Sequence, residues 1–171
     1  MISKTFSNFI FLIAAVIGLA FFTALTASAA DIRAPAPDFT LKSKSGENMR
    51  LEEQQGNVVI INFWASWCAP CREELPHFEA MQQEYEDLGF TVLAVNVDEY
   101  PEKANTLLND IPVSFPVLFD EDDKVSKLYD VRAMPTTVIV DRDGNHRLTH
   151  YGYKTGDEAK YRKAIKTLLR E

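Results

Sequence analysis

The chain has 171 residues, with 25 acidic against 18 basic side chains, a formal net charge of −7 and only two cysteines. That acidity argues against nucleic acid or anionic lipid as a partner and serves solubility instead. A single cysteine pair excludes the disulfide-stapled frameworks of small secreted domains, and the length suits one domain with its own core.

In chain order, Lys4 is the only charged side chain among the first thirty residues. Phe9 to Leu25 is apolar apart from Gly18 and Thr23, and the segment closes on Ala27-Ser28-Ala29-Ala30. A positive start, an apolar middle and small residues at the end predict a signal peptide over 1–30, cleaved after Ala29 or Ala30. An uncleaved membrane anchor is the rival reading, because about 17 apolar residues is the lower limit for spanning a bilayer. Either way the remaining domain, 31–171, is exported to the periplasm or an equivalent extracytoplasmic space, free or anchored to the inner membrane. No cysteine stands at the cleavage site to carry a lipid.

Ala34-Pro35-Ala36-Pro37 reads as an extended lead-in, and Phe39-Thr40-Leu41 with Met49-Arg50-Leu51 as a small hairpin about Ser45-Gly46. The β-branched and aromatic run Val58–Trp64 predicts a strand buried on both faces. Leu75, Phe78, Met81, Tyr85 and Leu88 then recur at helical spacing until Gly89, and Pro70 suits the first helical turn. Phe90 to Val97 completes a βαβ unit with parallel pairing. A helix from Pro101 to about Asn109, a short strand Phe115 to Phe119 and a short helix near Val125 to Tyr129 lead to Pro135. Thr136–Val140 pairs with His146–Tyr151 across the Asp143-Gly144 turn. A last helix, Asp157 to Arg170, carries Tyr161, Ile165, Leu168 and Leu169 on one face. The fold class is α/β with a mixed sheet, and neither repeats nor low-complexity segments occur.

Both cysteines lie in Trp67-Cys68-Ala69-Pro70-Cys71, at the junction of the buried strand and the first helix. A Cys-x-x-Cys pair in that place predicts a redox dithiol. Cys68 sits at a helix N-terminus, where the partial positive charge and unpaired N–H groups favour the thiolate that attacks disulfides. Cys71 lies on the same helical face, within reach to close a disulfide with it.

The stretch Phe63-Trp64-Ala65-Ser66-Trp67-Cys68-Ala69-Pro70-Cys71-Arg72, with Met134-Pro135-Thr136 further on, resembles the thioredoxin superfamily, and within it the exported TlpA/ResA-type disulfide reductases. The export signal, the N-terminal hairpin and an inserted helix-strand element between Glu99 and Phe119 select that branch. The resemblance spans Pro37 to Glu171. It implies a thioredoxin-like mixed sheet flanked by helices, with Cys68 attacking the substrate disulfide and Cys71 resolving the adduct. Pro135 matches the superfamily's cis-proline, and Met134 before it offers its backbone to the substrate chain. Trp67, Ala69 and Pro70 complete the expected substrate-binding surface. Disulfide-containing proteins, apocytochrome c among them, are the implied clients, and a membrane thiol reductase the implied electron donor. No cofactor or resident metal is expected.

Two positions depart from ordinary thioredoxin. Asn62 stands six residues before Cys68, where thioredoxins bury an aspartate, and Ala94 replaces the lysine that partners it. Asparagine has no proton to exchange, so another group must assist Cys71 if a base is needed. Glu74 matches the glutamate that ResA-like proteins use near their dithiol.

Other readings of the same residues are weaker. A structural disulfide fits poorly with an Ala-Pro spacer at a strand-to-helix junction. Zinc wants four ligands where only Cys68, Cys71 and His77 lie near one another in sequence. Cu(I) tolerates two thiolates with a Met134 thioether, so copper binding or delivery is the alternative function. The peroxiredoxin-like Pro-x-x-x-Thr-x-x-Cys pattern is absent, Ala65 standing three residues before Cys68. Asp120 to Asp123 reads as a turn and helix cap rather than a calcium loop. His77, His146 and His150 have no visible partner set, Trp64 reads as core, and Pro76 as a kink absorbed by packing.

Overall fold

The computed structural model describes residues 33–171, so the expected leader or anchor over 1–30 lies outside the described residues. The elements are β1 (Ala34–Pro35), β2 (Thr40–Ser43), β3 (Asn48–Arg50), β4 (Val58–Trp64), α1 (Ala69–Tyr85) and β5 (Phe90–Asn96). They continue with α2 (Pro101–Asp110), β6 (Val117–Phe119), α3 (Lys124–Leu128), β7 (Thr136–Val140), β8 (Asn145–Tyr151) and α4 (Glu158–Leu168). One sheet holds every strand among the described residues, in the order β1-β8-β7-β4-β5-β6-β2-β3. β4 pairs in parallel with β5, and β5 with β6, while the pairings of β4 with β7, β7 with β8 and β2 with β3 are antiparallel. The mixed sheet expected from the sequence is therefore present, with both hairpins in place.

β4 is buried along its whole length because it sits centrally and is covered on both faces. With the two-residue period of a strand, Val58, Ile60, Asn62 and Trp64 point to one face and Val59, Ile61 and Phe63 to the other. The first set packs with Leu75, Phe78 and Met81 of α1, Ala104 and Leu108 of α2, and Tyr161, Ile165 and Leu168 of α4. The second packs with Phe39, Leu51, Val125 and Tyr129. Asn62 is thus the polar member of an otherwise apolar row that faces α1.

Several boundaries differ from those read in the sequence. α1 ends at Tyr85, and a tighter 3-10 turn, Glu86–Leu88, carries the chain to Gly89 at φ 82°. Leu88 is consequently 58% exposed and does not belong to the helix's apolar face. The lead-in forms a two-residue strand, β1, paired with Asn145 and His146. The hairpin β2–β3 continues the sheet by pairing β2 with β6, so the N-terminal hairpin and the inserted α2–β6 element share one edge. Asp120 accepts from the N–H groups of Val125 and Ser126 at 3.0 and 2.8 Å, the cap read from the acidic run. α1 runs through Pro76, which is exposed and leaves the Arg72 carbonyl without its helical donor. No described helix is long and apolar enough to cross a membrane.

Candidate active site

Cys68 and Cys71 form a disulfide, with Cα atoms 5.3 Å apart. Cys68 occupies the N-cap of α1 in extended conformation, and the Cys71 N–H donates to its Sγ at 3.2 Å. A helix N-terminus has N–H groups without intrahelical acceptors, and here a sulfur takes one of them. Cys68 is 4% exposed and Cys71 fully buried, so Cys68 is the cysteine of the pair nearer solvent.

The loop that presents Cys68 is fastened from below. Asp98, buried two residues past β5, accepts from Ser66 N–H at 2.9 Å and Ser66 Oγ at 3.0 Å, and from Asn96 Nδ2 at 2.9 Å. Arg72 donates twice to the Ser66 carbonyl, at 3.0 and 2.7 Å. Trp67 stands 65% exposed between these anchored residues and Cys68, while Ala69 and Pro70 are exposed on the first turn of α1. Trp64 is fully buried core.

Pro135 immediately precedes β7, and the pairing of Phe63 with Thr136 sets it beside the end of β4 from which the Cys68 loop departs. The Met134-Pro135 bond is cis, as the resemblance implies. Pro135 is buried and accepts from Gly152 N–H at 2.7 Å. Met134 is half-buried and packs on the core cluster that holds both cysteines.

Beneath α1 the sheet offers a polar row. Ala94, Asn62, Thr137 and His150 are neighbours across β5, β4, β7 and β8. Glu74, three residues beyond Cys71, enters over this row and is fully buried. Its carboxylate accepts from Asn62 Nδ2 at 2.8 Å, Thr137 Oγ1 at 3.2 Å and Tyr161 OH at 2.9 Å. Asn62 also donates to Thr137 Oγ1 at 3.1 Å, and its own Oδ1 is buried without a partner. A charge in such a place is costly unless donors solvate it. Burial raises the Glu74 carboxyl to about 7, against the opposing effect of the Tyr161, Asn62 and Thr137 donors, and the Asp157 charge adds to the rise. The carboxyl is thus poised to take or release a proton near neutrality. Asn62 replaces a titrating residue with a donor that holds one.

Tyr161, Thr137, Asp98 and Arg72 were not legible as site residues. Tyr161 reads as one apolar-face residue of the last helix, and nothing local distinguishes it. His150 departs from its reading as an unpartnered hairpin residue, since its Nε2 lies 3.1 Å from Asp157 Oδ2 and its ring packs edge-on to Tyr161 at 5.5 Å. His146 bonds Thr149, and His77 packs on Tyr153. Among the described residues no group of three or more His, Cys, Asp or Glu is placed to hold a metal ion. Two recesses, of about 310 and 640 Å³, lie against the β7–β8 turn and between the β2–β3 hairpin and the α2–β6 loop, and neither cysteine lines them.

The chain matches the AhpC/TSA family over residues 32–148. It is 34% identical over 140 residues to the thiol-disulfide oxidoreductase ResA of Geobacillus thermodenitrificans, a match covering 82% of this chain and 79% of that one. It is 38% identical over 126 residues to the thioredoxin-like protein YneN of Bacillus subtilis, covering 72% and 73% of the two chains. Among solved structures, one described as a thiol:disulfide interchange protein DsbE from Chlorobium tepidum superposes with a TM-score of 0.78. That protein is 39% identical, and the match covers 80% of this chain and 96% of the other. The chain therefore belongs to the AhpC/TSA family, as a thioredoxin-like thiol-disulfide oxidoreductase with a Cys-x-x-Cys pair.

Proposed function

We propose that the protein is an exported reductant that passes two electrons from Cys68 and Cys71 to disulfides of other extracytoplasmic proteins. The observation that carries this reading is the Cys68–Cys71 disulfide at the start of α1, with a buried carboxyl three residues further along the same helix. In the reduced enzyme the helix N-terminus and the Cys71 N–H favour the Cys68 thiolate. This thiolate attacks the client disulfide, forming a Cys68–client mixed disulfide and expelling one client thiolate. Cys71 gives its proton to the Glu74 carboxylate and attacks Cys68 Sγ. The Cys68–Cys71 disulfide forms, the second client thiolate leaves, and the client has gained both electrons. Glu74 is adjacent to Cys71 on one helix face and holds its proton near neutrality, as a general base should.

Trp67, Ala69 and Pro70, all exposed, with the half-buried Met134 and the buried Pro135, form the site on which the client chain lies, and its exposed rim suits a protein substrate. The exported state rests on the 1–30 segment, cleaved as a signal or retained as an anchor. Recharging the dithiol falls to a membrane thiol reductase. Apocytochrome c, whose haem-attachment cysteines must be reduced before use, is the proposed client.

The test is mechanism-based trapping together with insulin reduction. Cys71→Ser traps mixed disulfides with clients and Cys68→Ser traps none. Equal trapping by both, or by neither, contradicts the assignment. Stoichiometric Cu(I) uptake without catalytic insulin reduction would establish copper handling in its place. The reduction potential of the pair against glutathione fixes the direction: a value near the thioredoxin end supports a reductant, and one near the strongly oxidising end an oxidant.

A further inference from the structure

The last helix, α4, reaches Glu74 through one buried side chain. Tyr161 of α4 is fully buried, and its hydroxyl donates to Glu74 Oε1 at 2.9 Å across 87 residues of sequence. Its ring is held between Phe78 of α1 at 5.7 Å and the edge of His150 at 5.5 Å, so the hydroxyl is fixed in place. Burial, and then the Glu74 charge, push the phenol far above its ordinary range. Tyr161 therefore remains a donor at every pH at which the enzyme works.

One turn earlier, at the N-cap of α4, Asp157 acts in the opposite sense. Its carboxylate accepts from Lys160 Nζ at 2.7 Å and Lys154 N–H at 2.9 Å, and contacts His150 Nε2 at 3.1 Å. The hydrogen bond from Lys160 leads the effects that hold it near 2, so it is anionic throughout the neutral range. A donor on Glu74 favours the carboxylate, whereas a nearby anion favours the acid.

We propose that Tyr161 is a positioning residue for disulfide exchange, and that α4, through Tyr161 and Asp157 pulling in opposite directions, sets the proton affinity of Glu74. This rests on the reading of Glu74 as the group that exchanges a proton with Cys71. Glu74 accepts from Asn62 of β4, Thr137 of β7 and Tyr161 of α4, the charge of Asp157 at the N-cap of α4 also acts on it, and along its own helix Cys71 lies three residues before it with Cys68 at the N-cap. Tyr153, after β8, also senses its charge. Burial, with the Glu158 contact, raises that phenol to about 12, so it stays neutral. His150 reaches the site through Asp157 and the Tyr161 ring. His77 packs on Tyr153, and Glu158 accepts from the Tyr153 hydroxyl at 3.0 Å.

The experiment follows the Glu74 carboxyl carbon by NMR in oxidised, glutamate-labelled protein, its signal assigned by its loss in Glu74→Gln. The pH–rate curve of insulin reduction is measured alongside. Tyr161→Phe removes the donor, so the Glu74 midpoint and the limb on which rate rises with its ionisation both move to higher pH, by roughly one unit. Asp157→Asn removes the anion, and both move to lower pH. A role confined to packing gives no such opposed pair of shifts. Should Tyr161→Phe fail to fold, the downward shift in Asp157→Asn decides alone. If Glu74→Gln loses the limb while neither α4 variant moves it or the carboxyl midpoint, or if both variants shift in one direction, the inference about α4 is overturned. A Glu74→Gln enzyme that keeps the wild-type limb overturns the reading of Glu74 itself.

Discussion

Two buried carboxylates stand at opposite ends of β7, and the protein treats them in opposite ways. Asp141, just past the end of the strand, accepts from Arg147 Nη1 at 3.1 Å and from the N–H groups of Asn145 and Asp143 at 2.8 and 3.1 Å. Burial alone would raise this carboxyl, yet those donors and the cation hold it below its ordinary value. Glu74, over Thr137 near the start of the strand, is offered an amide and two hydroxyls, all neutral, and rises to about 7. A carboxylate that fastens a turn is given a cation and stays charged at neutral pH. The carboxyl proposed to exchange a proton is given donors without charge and stays titratable.

The largest effect that sharpens this contrast is on turnover. Cys68→Ser removes the sulfur proposed to attack and should lower insulin reduction by about a thousandfold or more. Asp141→Asn, at the other end of the sheet, should leave turnover of the folded enzyme within about twofold. A comparable loss in Asp141→Asn would break the division between a functional end and a structural end.

The second effect is on stability against pH. The folded Glu74 carboxyl binds its proton more tightly than the unfolded one, whose ordinary value is 4.5. Between about 4.5 and 7 the unfolded chain has released a proton that the folded chain keeps, so stability falls as pH rises through this window. The span corresponds to a loss on the order of 3 kcal/mol. Glu74→Gln should flatten the slope, gaining on the wild type between pH 5 and pH 8 in denaturant unfolding. Parallel curves for the two proteins would mean that Glu74 is ionised in the folded state like any surface carboxylate.

Asp141 should give the mirror image. Its folded pKa is depressed, so its contribution is complete above the unfolded value of 3.8 and is lost as pH falls through the folded one. Asp141→Asn should cost about 2 kcal/mol at pH 7, since Arg147 keeps Glu171 at 2.7 Å, and the deficit should fade in acid. The smallest effect belongs to the exposed rim. Trp67→Ala should change stability by less than about 0.5 kcal/mol and raise KM for a protein client several-fold while leaving small-disulfide reduction intact.

The same contrast marks what the sequence could disclose. β4, α1 and β5 are legible because their apolar periods and the Pro and Gly signals at their ends are local properties. The Cys-x-x-Cys pair is legible because its chemistry needs only a strand-to-helix junction. Glu74 could be chosen from its spacing to Cys71, but its surroundings could not. Asn62, Thr137 and His150 become one row only when strand register is known, and Tyr161 joins them only when α4 packs on α1. Leu88 shows the reverse failure, an apolar residue at the right period that a change from α-helix to 3-10 turn rotates into solvent.

The most direct test is the titration of the Glu74 carboxyl carbon in the oxidised wild-type protein, where no thiol titration overlaps it. Neutral donors in an apolar core should give a midpoint near 7. A midpoint at the ordinary carboxylate value of about 4.5 would contradict the account, leaving Glu74 a permanent anion with no proton to exchange with Cys71.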